Sequence, residues 1–249
     1  MNRLIAGLLL LAPLWGQDAR GIVEESQRRS RAESQQYEGT LEVIDSKRKI
    51  TVKRWVYERL GSAGESKAVL RFTAPAEVKG VALLIHNHPE RASDQWMWTP
   101  AVQRERRIAF QDRRTRFFGT DFTFEDLEER DVDRSTYKLL GEEQALGAAC
   151  WKIEAAPKPE ARSQYSKSLL WIRKDNYMMT QAEGYGKDKL ARRIRYSDIA
   201  QVQGIWTPRM LEVRDVERGS TTVMKIERLQ YNVTLPAERF TLQALRREQ

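Results

Sequence analysis

The sequence predicts a mainly β fold of about eleven antiparallel strands, curled into a barrel or a strongly curved sheet with helices as cover. Three observations predict it. From Tyr37 onward apolar residues alternate along segments about 7–10 residues long. Turn chemistry separates these segments at hairpin spacing. Several segments are apolar on both faces, whereas a sheet covered on one side alternates cleanly.

Before the strands, Arg3 precedes the apolar run Leu4–Leu14, and Asp18 and Arg20 follow at once. That arrangement reads as a signal peptide over residues 1–16, with cleavage after Gly16 or after Ala19. The run is too short for the roughly 20 residues of a membrane-spanning helix. Residues 17–249 are expected to form one domain of roughly 230 residues, large enough to build its own core. The only cysteine is Cys150, which leaves no internal disulfide and no N-terminal thiol to acylate. Export to the periplasm as a soluble, monomeric protein is the expectation. The net charge of +8 suits anionic lipid or an acidic partner, and export argues against nucleic acid.

Residues 21–34 (GIVEESQRRSRAES) hold good helix formers around Ile22 and Val23, which predicts a short helix with a solvated face. In YEGTLEVID, Tyr37, Leu41 and Val43 share one face, and Asp45-Ser46-Lys47-Arg48 turns the chain. Strands follow over 49–60, 67–73, 81–86 and 95–99, separated by Gly61–Gly64, Pro75 and Asn87-His88-Pro89. A second run covers 137–140, 149–155, 168–173, 177–185, 189–196, 206–215 and 220–231. Residues 100–129 read as a charged, aromatic-studded loop with a helical turn at 123–128.

Candidate chemistry is sparse. His86 and His88 share a strand face, but there is no third histidine, so a polar turn is favoured over a metal site. The carboxylates between Asp121 and Asp133 lack the spacing of a calcium loop; they read as partners for Arg104, Arg106, Arg107, Arg113, Arg114 and Arg116 just upstream. Cys150 lies within a strand pattern, and no nucleophile elbow or phosphate loop occurs. No catalytic residue, metal or cofactor is assigned, and the protein is not expected to be an enzyme. Flexible and flat apolar side chains on two-sided strands suit a greasy pocket.

The stretch Gln95-Trp96-Met97-Trp98-Thr99-Pro100-Ala101, then Arg106-Arg107-Ile108, then the run from Phe118-Gly119-Thr120-Asp121 to Leu127, resembles the outer-membrane lipoprotein-sorting protein family, relatives of the LolA and LolB carriers. The ending Leu235–Phe240 continues the likeness. The resemblance implies an unclosed β-barrel whose helices cover a hydrophobic cavity for acyl chains. It implies a carrier of a lipid or lipoprotein acyl chains, working with an inner-membrane exporter and an outer-membrane acceptor. Candidate cavity-lining residues are Trp55, Tyr57, Leu84, Trp96, Trp98, Trp171, Met179, Trp206 and Met210. Phe117, Phe118, Phe122, Phe124, Arg104, Arg106 and Arg107 are assigned to a gate or rim. The alternative is a periplasmic adaptor that docks on a resistance-nodulation-division-type exporter and fills its sheet with its own side chains.

Overall fold

The computed structural model describes residues 18–62, 64–89, 91–129 and 131–247. The signal-peptide assignment lies outside the described residues. Among them, thirteen strands form a single antiparallel sheet. The strands are β1 (Ser34–Ile44), β2 (Ile50–Ser62), β3 (Glu65–Ala74), β4 (Ala82–His86), β5 (Asp94–Thr99), β6 (Arg104–Arg107), β7 (Ser135–Ala145), β8 (Ala148–Pro157), β9 (Lys167–Arg173), β10 (Met179–Gly186), β11 (Lys189–Val202), β12 (Ile205–Asp215) and β13 (Ser220–Tyr231). Two α-helices, α1 (Ala19–Arg29) and α2 (Leu242–Leu245), and several short 3-10 turns accompany them among the described residues.

Each strand pairs with its neighbour in sequence, and β1 pairs with β13, so the order runs from β6 back to β1 and then from β13 down to β7. β6 and β7 are consecutive in the chain but stand at opposite edges of the sheet, and the barrel stays unclosed. Tight hairpins fix the register. Leu146-Gly147, Lys187-Asp188 and Gln203-Gly204 each place two central residues at positive φ, the geometry that matches the strand twist in two-residue loops. At the first hairpin the Asp45 carboxylate accepts from the amides of Lys47 and Lys49 at 2.8 and 2.9 Å.

The strands' alternation separates an inner face from an outer one. Leu41, Trp55, Leu70, Phe72, Leu83, Val213 and Met224 point inward and form the main core with Phe117, Phe122 and Phe124. Trp151, Ile153, Leu170, Ile172 and Ala182 continue the inner face and receive Ile22 and Val23 of α1. Gly39 is the residue that lets Trp55 lie across β1, because a Cβ there would stand 2.1 Å from Trp55 Nε1.

Against the expectation of about eleven strands, the twelve segments read as strands are all present, β6 is added to them, and the cover is refined. β6 is the sequence RERR. It has no apolar alternation to announce it and reads as loop in sequence. α1 ends at Arg29, five residues before the expected helix end, so that Ser34 begins β1. Residues 108–129 and 131–134 are loop with short 3-10 turns, and the turn at Glu125–Leu127 falls within the helical turn expected at 123–128. They cross the inner face from one sheet edge to the other and act as a plug. The third cover comes from after β13: Leu235, Phe240 and Leu245 pack on the outer face against Ala82 and Leu84, with Trp96 and Trp98 beside them.

Candidate functional site

The plug divides the inner space into two cavities. One, of about 160 Å³, lies between α1 and the plug over β8–β10, and its lining includes Val23, Tyr137, Ala155, Leu170, Ile172 and Met179. The other, of about 230 Å³, lies over β1–β3 and β12–β13, lined by Tyr37, Trp55, Tyr57, Leu70, Phe122, Leu127, Leu211, Met224 and Ile226 among others. Each is smaller than the roughly 300–1,000 Å³ of ordinary ligand pockets. Burial pushes the Tyr57 phenol up to about 12 and Tyr37 well above its usual value, as expected where the walls are apolar.

The plug is docked by aromatic rings and by carboxylates. Phe117 stacks on Phe72 with ring centres 5.4 Å apart, and Phe124 meets Phe117 edge-on at 5.5 Å. Asp121 is fully buried; it accepts from Ser220 and Thr222 of β13 and pairs with Arg116 at 2.9 Å. Asp126 accepts from the Tyr165 hydroxyl at 2.8 Å and lies 3.3 Å from Arg192 of β11. Glu128 receives Arg113 through two nitrogens and the Gln95 amide of β5 at 2.8 Å. Glu129 accepts from Ser66 of β3 at 2.6 Å and pairs with Arg59 of β2 at 3.3 Å. The acidic stretch therefore ties the plug to five strands. Only Arg113 and Arg116 among the expected upstream arginines serve it. Arg106 pairs with Asp112 and Arg107 with Asp94, on the exposed edge strand β6.

Of the nine candidate lining residues, Trp55 and Tyr57 face the larger cavity and Met179 the smaller. The structure corrects the other six. Leu84, Trp96 and Trp98 lie on the outer face under the C-terminal segment. Trp171 lies on the outer face with Cys150, its indole donating to Glu143. Trp206 is exposed, and Met210 alternates with the inward Leu211. The cause is uniform: a two-sided apolar strand identifies no inner side, and the unrecognised C-terminal cover accounts for the outer apolar residues of β4 and β5.

Of the residues assigned to a gate or rim, Phe117, Phe122 and Phe124 are buried anchors of the plug, Phe122 also lining the larger cavity, and Phe118 packs on Phe72 and Phe117. Arg104, Arg106 and Arg107 are exposed on β6, away from both cavity linings. The inward residues that the sequence reading missed are Tyr37, Leu170, Ile172, Leu211, Met224 and Ile226. Parity with Trp55 and Met179 through the hairpin registers finds them.

His86 and His88 do not converge. His86 Nε2 donates to the Phe240 carbonyl at 3.0 Å, and His88 lies 3.0 Å from Asp94. No cluster of metal-ligating side chains occurs among the described residues. No described helix is long and apolar enough to cross a membrane.

A protein-family model described as "-like: Uncharacterized protein" matches residues 64–247. The chain belongs to that family. Its fold is that of the LolA superfamily and of outer-membrane lipoprotein-sorting domains. A domain assigned to outer-membrane lipoprotein sorting from Vibrio parahaemolyticus superposes with a TM-score of 0.87 at 22% identity, covering 92% of this chain and 98% of that one. A DUF1329 family protein from Desulfovibrio piger gives 0.87 at 27% identity, over 91% and 97%. A LolA superfamily protein from Nitrosomonas europaea gives 0.72 at 20% identity, over 91% and 98%. No curated protein matches the sequence.

Proposed function

We propose that the protein is a periplasmic carrier. It takes a lipid, or the acyl chains of a lipoprotein, onto the inner face of its sheet and delivers them to a membrane or an export complex. The observation that carries this reading is the inner face itself, where two cavities floored by apolar strand residues are separated by a segment that is not part of the sheet, the smaller having charged plug residues on its other side. Each methylene withdrawn from water contributes about 0.8 kcal/mol, so a long chain needs a covered apolar surface to travel. Moving the plug would merge the cavities while the strand ladder stays intact. Export with cleavage after Gly16 keeps Asp18, which caps α1, and the buried Ala19; cleavage after Ala19 would remove both.

One observation favours the second reading, an adaptor docking on an exporter: Phe117, Phe122 and Phe124 already fill much of the inner face. Paired variants separate the two. A fluorescent acyl probe is titrated into the parent, Met179→Glu on the inner face and Met210→Glu on the outer face. A carrier loses affinity about tenfold or more only in Met179→Glu, the order of effect expected when a buried apolar contact is replaced by a charge. An adaptor gives no saturable binding in any of the three.

A further inference from the structure

The sheet forks beside the larger cavity. β12 and β13 pair from Met210↔Lys225 to Asp215↔Ser220, at one end of β12. Toward its other end, residues 205–208 pair with β11 alone among the described residues, and β10 accompanies β11 only as far as Arg195. The far half of the β11–β12 hairpin therefore leaves the sheet as a two-stranded arm. β13 carries a bulge against β1 in the same region, where Arg228 takes a φ of 50°, and a bulge bends the strand that holds it.

Side chains rather than a ladder close the fork. The Gln203 side-chain amide donates to the Tyr231 carbonyl at 3.0 Å, and its oxygen accepts from the Tyr231 backbone amide at 2.6 Å. Those are the two bonds that a paired strand residue would exchange. The Thr207 and Tyr231 hydroxyls meet at 2.9 Å. Thr207, Pro208 and Tyr231 also line the larger cavity, so the fork forms part of its wall.

The lips of the fork suit an apolar chain. Residues 199–208 (IAQVQGIWTP) carry no charge, in a chain whose residues are 31% charged. The smaller cavity, by contrast, is lined by Glu125, Glu128, Glu129 and Asp131 with Arg113 and Arg134. A chain sliding past ionised groups strips water from them at a high cost, whereas neutral amides and hydroxyls cost far less.

We propose that acyl cargo enters the larger cavity sideways, between β12 and β13, when Gln203 releases Tyr231 and the β11–β12 arm swings out. Phe122 and Leu127 of the plug then form part of the wall that the chain meets, and the plug yields to a chain already inside. This rests on the carrier reading and adds the route of entry.

Stopped-flow mixing of a fluorescent fatty acid with the intact mature protein tests it. Gln203→Asn shortens the side chain so that its amide no longer spans both Tyr231 groups. Gln203 is exposed, and asparagine accepts the φ of 49° at this hairpin position, so the change spares the core. Association and dissociation should both quicken about tenfold with Kd little changed, because the closed form loses two hydrogen bonds whether the cavity is filled or empty. Lys187→Asn makes the matching change at the β10–β11 hairpin, which also turns at positive φ but is paired to its end, and should leave both rates as in the parent. Rates raised in neither variant, or raised equally in both, overturn the entry route and leave the carrier reading standing. A parent without saturable binding overturns both.

Discussion

Arg113 and Glu128 hold the plug closed on itself, with side chains only 6% and 3% exposed. Two charges taken so far out of water are tolerated because they are paired and because Gln95 adds a donor to the carboxylate. Glu128→Gln leaves the guanidinium buried without its counter-charge and should lower the free energy of unfolding by about 3–5 kcal/mol in denaturant titration. The double replacement Arg113→Met with Glu128→Leu should recover most of that loss; a double variant no better than the single would show that something other than the pair is being disturbed. At this scale the sequence was only partly legible. Its acidic stretch was readable as an ionic network, but two of the partners, Arg59 and Arg192, come from distant strands, and no local spacing points to them. The same limit misplaced Leu84, Trp96, Trp98 and Trp171, since a strand apolar on both sides carries no mark of which side is inner.

The covering elements differ in how they are attached. α1 adds Ile22 and Val23 to the inner face and is capped by Asp18. The C-terminal segment covers the outer face of β4 and β5 and is pinned by His86 at the Phe240 carbonyl. Burial pushes the His86 imidazole below its ordinary value; the Phe240 carbonyl and Asp94 oppose the shift, and Lys67 and His88 reinforce it. The folded state therefore binds this proton less readily than the unfolded chain does. Its contribution is complete above about pH 6.5 and is lost as the pH falls from there through the lowered folded value. Thermal unfolding of the parent and of His86→Gln from pH 7.5 to 5 checks this: the parent should lose more stability over the interval, and parallel curves would remove His86 from the account. The strand segments and the N-terminal helix were legible because their periods are local, whereas the pairing of β1 with β13 has no local mark. β6 and the C-terminal cover were not: RERR has no apolar alternation, and Leu235, Phe240, Leu242 and Leu245 are too few to set a period.

At the scale of the whole molecule, the topology supplies a sheet whose two edges never meet and whose one long connection, residues 108–134, fills the space between them. Barrel closure would have removed the free edges and fixed the interior. The open form instead leaves an inner face that, among the described residues, the plug and α1 cover. The enclosed space beside the plug falls below that of an ordinary ligand pocket, so a long acyl chain is accommodated only if the plug is displaced. The central claim is that cargo enters there, and the most direct test is native mass spectrometry of the exported protein, with lipid extraction from the same preparation. The account predicts a protein mass beginning at Gln17 accompanied by an adduct that extraction identifies as an acyl lipid, and loss of that adduct in Met179→Glu but not in Met210→Glu. Protein that is consistently empty, or an adduct retained in Met179→Glu, would contradict it.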